Sequence, residues 1–411
     1  MRSTRVKRSP RTTTLLVAWL ALFATAAHGQ SGDGAGDPLR AAIATLEAGD
    51  VAGAEKKLRP LAAKDAEAAA WLAAALLKRG DRAGLAEAIR LLRTASDGGN
   101  GRAKYLLAFQ HAAGQGVPKD ETRAVQLFQE AAEAGIARAA YNLGVLYAKG
   151  RGVPPDSAQA LHWYERAAQA GDPYGAYAMA RAIELSPQAR TRAADVVRHY
   201  RVAAELGHLP AALRYGALLV EGRGVRKDQV EGERFLRHAA DNGYPEAAMT
   251  LGDLSARMAM SSRGDAAQTA AASAISWYTI AANAGAALAQ FKLANALFSG
   301  AGLDRDFPKA EQWYARAARQ GLTDAQYVLG IWKTGGVAGP KDAVDGYMWL
   351  LLAERQGDTN AGKVRIRAAE KMSAAEMRKA ETAADAFRPR PERPLVRPDD
   401  EAPPLKPMPR P

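Results

Sequence analysis

The chain has 411 residues, 48% of them hydrophobic and 24% charged, with 38 glycines, 7% aromatic residues and a net charge of +12. This composition excludes a generally disordered chain, and abundant alanine and glycine beside few aromatics fits close-packed helices better than a β-sandwich or an α/β enzyme. The absence of cysteine excludes disulfides, thiolate metal sites and a cysteine nucleophile.

The first element in chain order is a leader. Met1 to Arg11 carries Arg2, Arg5, Lys7, Arg8 and Arg11 and no acid, Leu15 to Ala27 is a short apolar run, and Ala27-His28-Gly29 precedes a cut before Gln30. Ala24-Thr25-Ala26 offers a second cut site. A spanning helix needs about 20 apolar residues, so residues 1–29 are expected to be a cleaved signal peptide and the protein periplasmic or secreted. Without the five leader cations the mature chain keeps about +7 of its +12, in scattered charges. That balance permits peripheral association with the envelope and does not predict nucleic-acid binding. No transmembrane segment is expected in the mature chain.

Residues 30–66 read as an N-terminal helical cap. Beyond them a glycine ends an alanine-rich segment at Gly99, Gly135, Gly171, Gly207, Gly243, Gly285, Gly321 and Gly357, in steps of 36 residues with one step of 42. Self-similarity at such a period is the signature of stacked helical repeats. The clearest unit places Ala139, Leu143, Gly144 and Tyr147 on one helical face, stops at Gly150 and Gly152, and restarts at Asp156 with Gln159 as a capping-box partner. Asp120, Asp228, Asp306 and Asp342 repeat the cap. The Gly144 column stays small as Ala108, Ala180, Gly216, Gly252, Ala294 and Gly330. Because a mid-helix glycine costs about 1 kcal/mol relative to alanine, a neighbour is expected to cross there too closely for a β-carbon.

The second helix of the unit places Ala160, Trp163, Tyr164, Ala167 and Ala168 on one face. The columns through Trp163 and Tyr164 read as core rather than as a cofactor box, and His199 in the Trp163 column reads as a packed aromatic substitute. Two units depart from the pattern. Ser186-Pro187-Gln188 replaces the loop glycines in one, and six extra residues lie within 257–274 in the other. Either is a tolerated surface insertion, a hinge or a partner-specific loop.

The pattern Ala-x-x-x-Leu-Gly-x-x-Tyr-x-x-Gly-x-Gly-Val-x-x-Asp, followed by Ala-x-x-Trp-Tyr-x-x-Ala-Ala-x-x-Gly, resembles the Sel-one-like repeat (SLR) family, related to tetratricopeptide repeats. The likeness covers about residues 67–357, an array of about eight units, and residues 358–387 resemble the capping helices that close such arrays. The expected fold is all-α, a right-handed α-α superhelix (solenoid) of helix-turn-helix repeats. The resemblance implies protein-protein contacts, commonly at the envelope or the host interface. Residues 388–411 hold nine of the 21 prolines and are expected to form an extended, disordered tail.

No HExxH, nucleophile elbow, Walker loop or dinucleotide fingerprint is present, so no catalytic residue, metal ligand or cofactor is assigned. The expected ligand is a protein or peptide bound by a monomer. The residue two after the first alanine of each unit forms a column that includes Tyr105, Tyr141, Tyr177, Phe291 and Tyr327, and the next groove-facing column includes Phe109 and Arg181. Exposed, these residues suit partner contacts on a concave surface; buried, they are inter-repeat packing. The competing expectation is an exported enzyme or binding protein for cell-wall or glycan substrates. Secreted family members associated with such ligands are cysteine-rich, and this chain has no cysteine.

Overall fold

The computed structural model describes residues 37–300 and 305–392. The expected leader at 1–29 and the tail beyond Glu392 lie outside the described residues. Twenty helices and no strands occur among the described residues, and the fold is the expected all-α solenoid of helix-turn-helix repeats. The described chain divides into two compact units, residues 37–215 with 223–226 and residues 216–222 with 227–392.

The first unit opens with α1 (Pro38–Glu47) and α2 (Val51–Ala62) and continues with α3 (Ala66–Arg79) and α4 (Arg82–Asp97). The repeats α5 (Gly101–Ala113) with α6 (Glu121–Glu133), α7 (Ala137–Lys149) with α8 (Ser157–Gln169), and α9 (Pro173–Glu184) with α10 (Ala193–Glu205) follow. Helix α11 (Leu209–Glu221) spans the division. The second unit contains α12 (Gln229–Asp241), α13 (Pro245–Ser261), α14 (Gly264–Asn283), α15 (Ala287–Ser299) and α16 (Phe307–Arg319). It ends with α17 (Thr323–Gly335), α18 (Ala343–Arg355), α19 (Thr359–Ala369) and α20 (Ala374–Ala386), the last packed on α18.

Local chemistry sets these boundaries. The Asp156 carboxylate accepts the Ala158 and Gln159 amides at 2.8 and 3.0 Å, which satisfies donors the first turn of α8 leaves free. Asp120, Asp228, Asp306 and Asp342 cap α6, α12, α16 and α18 in the same way. The reciprocal capping box forms at Ser373 and Glu376 rather than at Asp156 and Gln159. Gly150 and Gly152 adopt φ of 63° and 72°, a left-handed backbone that stops α7. A β-carbon on Gly152 would lie 2.3 Å from the Glu121 carbonyl oxygen, so this loop sits directly on the first turn of the preceding repeat's second helix.

The small column marks close crossing. A β-carbon at Gly144 would come within 2.6 Å of the Tyr164 ring, at Gly252 within 2.5 Å of the Tyr278 ring, and at Gly330 within 2.7 Å of Leu350. The obstacle is the large residue of the second helix in the same repeat, together with backbone carbonyls. Phe128, Tyr200, Leu236, Tyr278, Tyr314 and Leu350 are buried in that column, as are Leu127, Trp163, Phe235 and Trp349 in the neighbouring one. Each such side chain contributes about 1.5–3 kcal/mol by leaving water. His199 is half-buried, and burial pulls its pKa down.

The six-residue insertion is helix, not loop. It lengthens α13 to 17 residues and α14 to 20, joined by a short turn at Ser262 and Arg263, where the sister helices have 13. The run Ala266-Ala-Gln-Thr-Ala-Ala-Ala supplies strong helix formers in place of the loop glycines, so the added residues continue both helices.

Candidate interaction surface

In three repeats a tyrosine of the second helix reaches a polar side chain of the first: Tyr200 meets Glu184, Tyr278 meets Asp253 and Tyr314 meets Asn295. In the first unit, Tyr105 is only 3% exposed. Its ring meets Phe109 and Phe128 edge-on at 5.0 and 5.8 Å and offers almost no surface. Phe109 is half-buried in the same cluster, 4.9 Å from Phe128. Tyr141 is half-buried between Tyr164 and Tyr174, at 5.9 and 5.8 Å. Tyr177 packs 4.5 Å from His208 and 5.7 Å from Tyr200.

Arg181 joins a polar group at the end of α9. Its guanidinium donates to Glu184 at 2.8 Å, and the buried Tyr200 hydroxyl donates to the same carboxylate at 2.7 Å. These bonds hold the Glu184 carboxyl below its ordinary pKa against the opposing effect of burial. The sequence columns therefore assemble Tyr177, Arg181, Glu184 and Tyr200 into one half-buried cluster.

Beneath it lies a buried pair that periodicity does not reveal. Arg138 Nε donates to Asp172 Oδ2 at 2.5 Å, with side chains 9% and 3% exposed. The guanidinium stacks on Tyr174, 3.8 Å from the ring centre. Asp172 also caps α9 through the Tyr174 and Gly175 amides. His208 sits against both tyrosines, 4.8 Å from the Tyr174 ring, and accepts the Ala211 amide at its Nδ1. Burial, aided by Arg138, pushes the His208 pKa down to about 3.

In the second unit the lengthened α13 and α14 wall a cleft of about 1180 Å³ against α15. Ala256, Met260, Ala267, Ala271 and Phe298 form apolar walls, and Tyr278, Lys292 and Asn295 line the polar side. Met260 is 88% exposed and Phe298 40%, so the rim is apolar and open. Lys292 Nζ contacts both Asp253 oxygens at 2.5 and 2.6 Å, and the Tyr278 hydroxyl donates to Asp253 at 2.7 Å. Tyr314 pairs likewise with Asn295. Phe291 is half-buried 5.6 Å from Tyr314, and Tyr327 is half-buried against Leu350 and Ala353. Met260, Phe298 and Lys292 escape a column-by-column reading because the cleft is created by the insertion, which has no counterpart in sister repeats. The one local signal was Met260, a large apolar residue beside the alanine-rich stretch that follows.

The described cleft lining contains neither a histidine nor a carboxylate. Lys292 of the lining is ion-paired with Asp253. Such a site offers apolar contact and hydrogen bonding and no poised acid-base pair. No described helix is long and apolar enough to cross a membrane.

Comparison with known proteins follows the same columns. A family model described as the Sel1 repeat matches residues 66–100, 101–136, 137–172, 209–244, 258–285, 287–322 and 323–358. Two stretches within the array are unmatched, 173–208, which contains Ser186-Pro187-Gln188 in place of the loop glycines, and 245–257, which leads into the insertion. The crystal structure of a Sel1 repeat protein from Oxalobacter formigenes is 28% identical, with a TM-score of 0.58 over 80% of this chain and 93% of that one. The structure of c5321, a protective antigen of uropathogenic Escherichia coli displaying an SLR fold, is 22% identical with a TM-score of 0.47, over 85% of this chain and 83% of that one. No curated protein matches the sequence.

Proposed function

The chain belongs to the Sel1 repeat family, and from that premise we propose that it is an exported, monomeric scaffold that binds a protein or peptide on the concave face formed by its first helices. Solenoids of this family are commonly protein-interaction scaffolds and typically non-catalytic, and the present chain is read in the same way. The observation that carries the reading is the apolar, methionine-rimmed cleft over Tyr278 and Lys292. The exposed Met260 can adapt to varied apolar partners, and the already paired Lys292 favours recognition over chemistry. In the first unit, half-buried Tyr141, Tyr177 and Arg181 on first helices offer aromatic and polar contacts of their own. The protein is expected in the periplasm or outside the cell, with peripheral envelope association and no affinity for nucleic acid.

The test is capture from envelope extract with the full mature chain, a Tyr141→Ala/Arg181→Ala variant and a Met260→Asp variant, each checked for folding by circular dichroism. Loss of a partner, by tenfold or more, from either folded variant supports the reading. A partner retained by both overturns it. Mass spectrometry of the exported protein should find an N-terminus at Gln30; an intact Met1 on the mature protein would remove the export step.

A further inference from the structure

The last described residues double back on the second unit. Phe387 packs edge-on against Trp349 at 5.5 Å. Pro389 lies over Gly321, where a β-carbon would come to 3.3 Å from the proline ring. The Arg390 amide donates to the Arg319 carbonyl at 2.9 Å, and the Glu392 amide donates to Gln320 Oε1 at 3.0 Å. The Glu392 carboxylate takes a two-pronged contact from Arg316, at 3.0 and 2.5 Å, and a further bond from Gln290 Nε2 at 2.8 Å. The segment thus runs along the edge where the second helix of one repeat passes to the first helix of the next, away from the cleft.

Proline placement matches this docking. Pro389 and Pro391 have no N–H, while the two residues that alternate with them, Arg390 and Glu392, give their N–H groups to the protein. An extended Pro-x-Pro segment therefore binds with no donor stranded, and its backbone is already stiff. The receiving side is also bonded to the repeats themselves. Gln290 is fully buried, its Nε2 donates to the Ala282 carbonyl at 3.1 Å, and its Oε1 accepts from Gln320 at 2.9 Å.

The next repeat provides an internal control. Gln326 and Gln356 form the same pair there, at 2.7 Å, but Leu352 stands where Arg316 stands one repeat earlier. The glutamine pair is thus part of the repeat, and the cation that completes a carboxylate clamp occurs at the docked step.

We propose that this edge is a recognition site for extended segments of the form Pro-x-Pro-acidic, held by the chain's own residues 388–392 and open to the same motif in a partner protein. Its own segment is tethered directly to α20, at an effective concentration of about millimolar order. A partner must therefore bring further contacts or act when the tail is drawn away. The proposal does not depend on the concave-face reading.

The test uses the full-length chain with Arg390→Pro/Glu392→Arg, which removes the tethered donor and carboxylate and leaves Arg316, Gln290 and Gln320 intact. A labelled peptide of residues 387–392 is titrated to millimolar concentration, followed by fluorescence anisotropy. It should bind this variant at least tenfold more tightly than the unsubstituted chain. Replacing the peptide's glutamate by glutamine, or adding Arg316→Leu to the protein, should cost a further tenfold or more. Absence of binding to the folded variant, or equal binding to the unsubstituted chain, overturns the proposal.

Discussion

At the scale of single residues, the chain concentrates its electrostatic risk in one place. Arg138 and Asp172 are almost wholly buried, and the pair is tolerable because Asp172 also takes two helix amides and Arg138 lies on Tyr174. Replacing Asp172 by asparagine keeps the cap geometry and strands the guanidinium. The expected loss is about 3–5 kcal/mol, read from urea midpoints, with much of it recovered when Arg138→Leu is added. Asp172→Asn with the stability of the unsubstituted chain would show that the pair contributes nothing. His208 sets a pH dependence in the same cluster. Its pKa falls from an ordinary 6.5 to about 3 in the folded chain, so between these values the unfolded chain takes a proton that the folded chain refuses. Stability is therefore fully present above pH 6.5 and declines as the pH falls, by about 2 kcal/mol between pH 7 and pH 5. His208→Asn keeps a capping side chain, as Asn100 does for α5, and should flatten that part of the profile. An unchanged slope would assign the acid sensitivity to other groups.

At the scale of helices, the small column decides how closely a pair crosses. Gly144 faces the Tyr164 ring, yet Ala108, Ala180 and Ala294 meet Phe128, Tyr200 and Tyr314 at the equivalent crossing, so a single methyl is accommodated by small shifts. Gly144→Ala should change stability by less than about 1 kcal/mol, its helix propensity gain offsetting the crowding. Gly144→Val adds two γ-methyls against a ring and a carbonyl and should cost about 2–3 kcal/mol. Thermal denaturation of both variants checks this, and equal effects would contradict the crossing argument. The columns, the caps and the glycine stops were legible in the sequence because each recurs in phase along the array with a direct local cause. The insertion's departure from phase is visible in the sequence, but whether it forms a surface insertion, a hinge or a loop is not. Helix formation there rests on Ala266 to Ala272, whose propensity acts in place of the missing glycines.

At the scale of the whole molecule, the candidate surface was less legible than the fold, for a physical reason. Helical phase places Tyr105 and Tyr141 in one column, but their exposure is set by neighbours such as Phe109 and Phe128, which differ from repeat to repeat. The same short-range logic governs stability. In the first unit, α5 to α8 pack chiefly on helices adjacent in the chain, so a local defect has few long-range partners through which to spread. Leu143 is fully buried in α7, and Leu143→Ala should cost about 2–5 kcal/mol where it acts. Hydrogen exchange should then show lost protection in α7 and α8, a smaller loss in α6 and α9, and unchanged protection in α1 and α2. A uniform loss from α1 to α9 would mean that the first unit opens in a single step, and the nearest-neighbour account would fail. The graded pattern would instead show that each repeat draws its stability from the two beside it, which leaves surface residues of one repeat free to vary without disturbing distant ones.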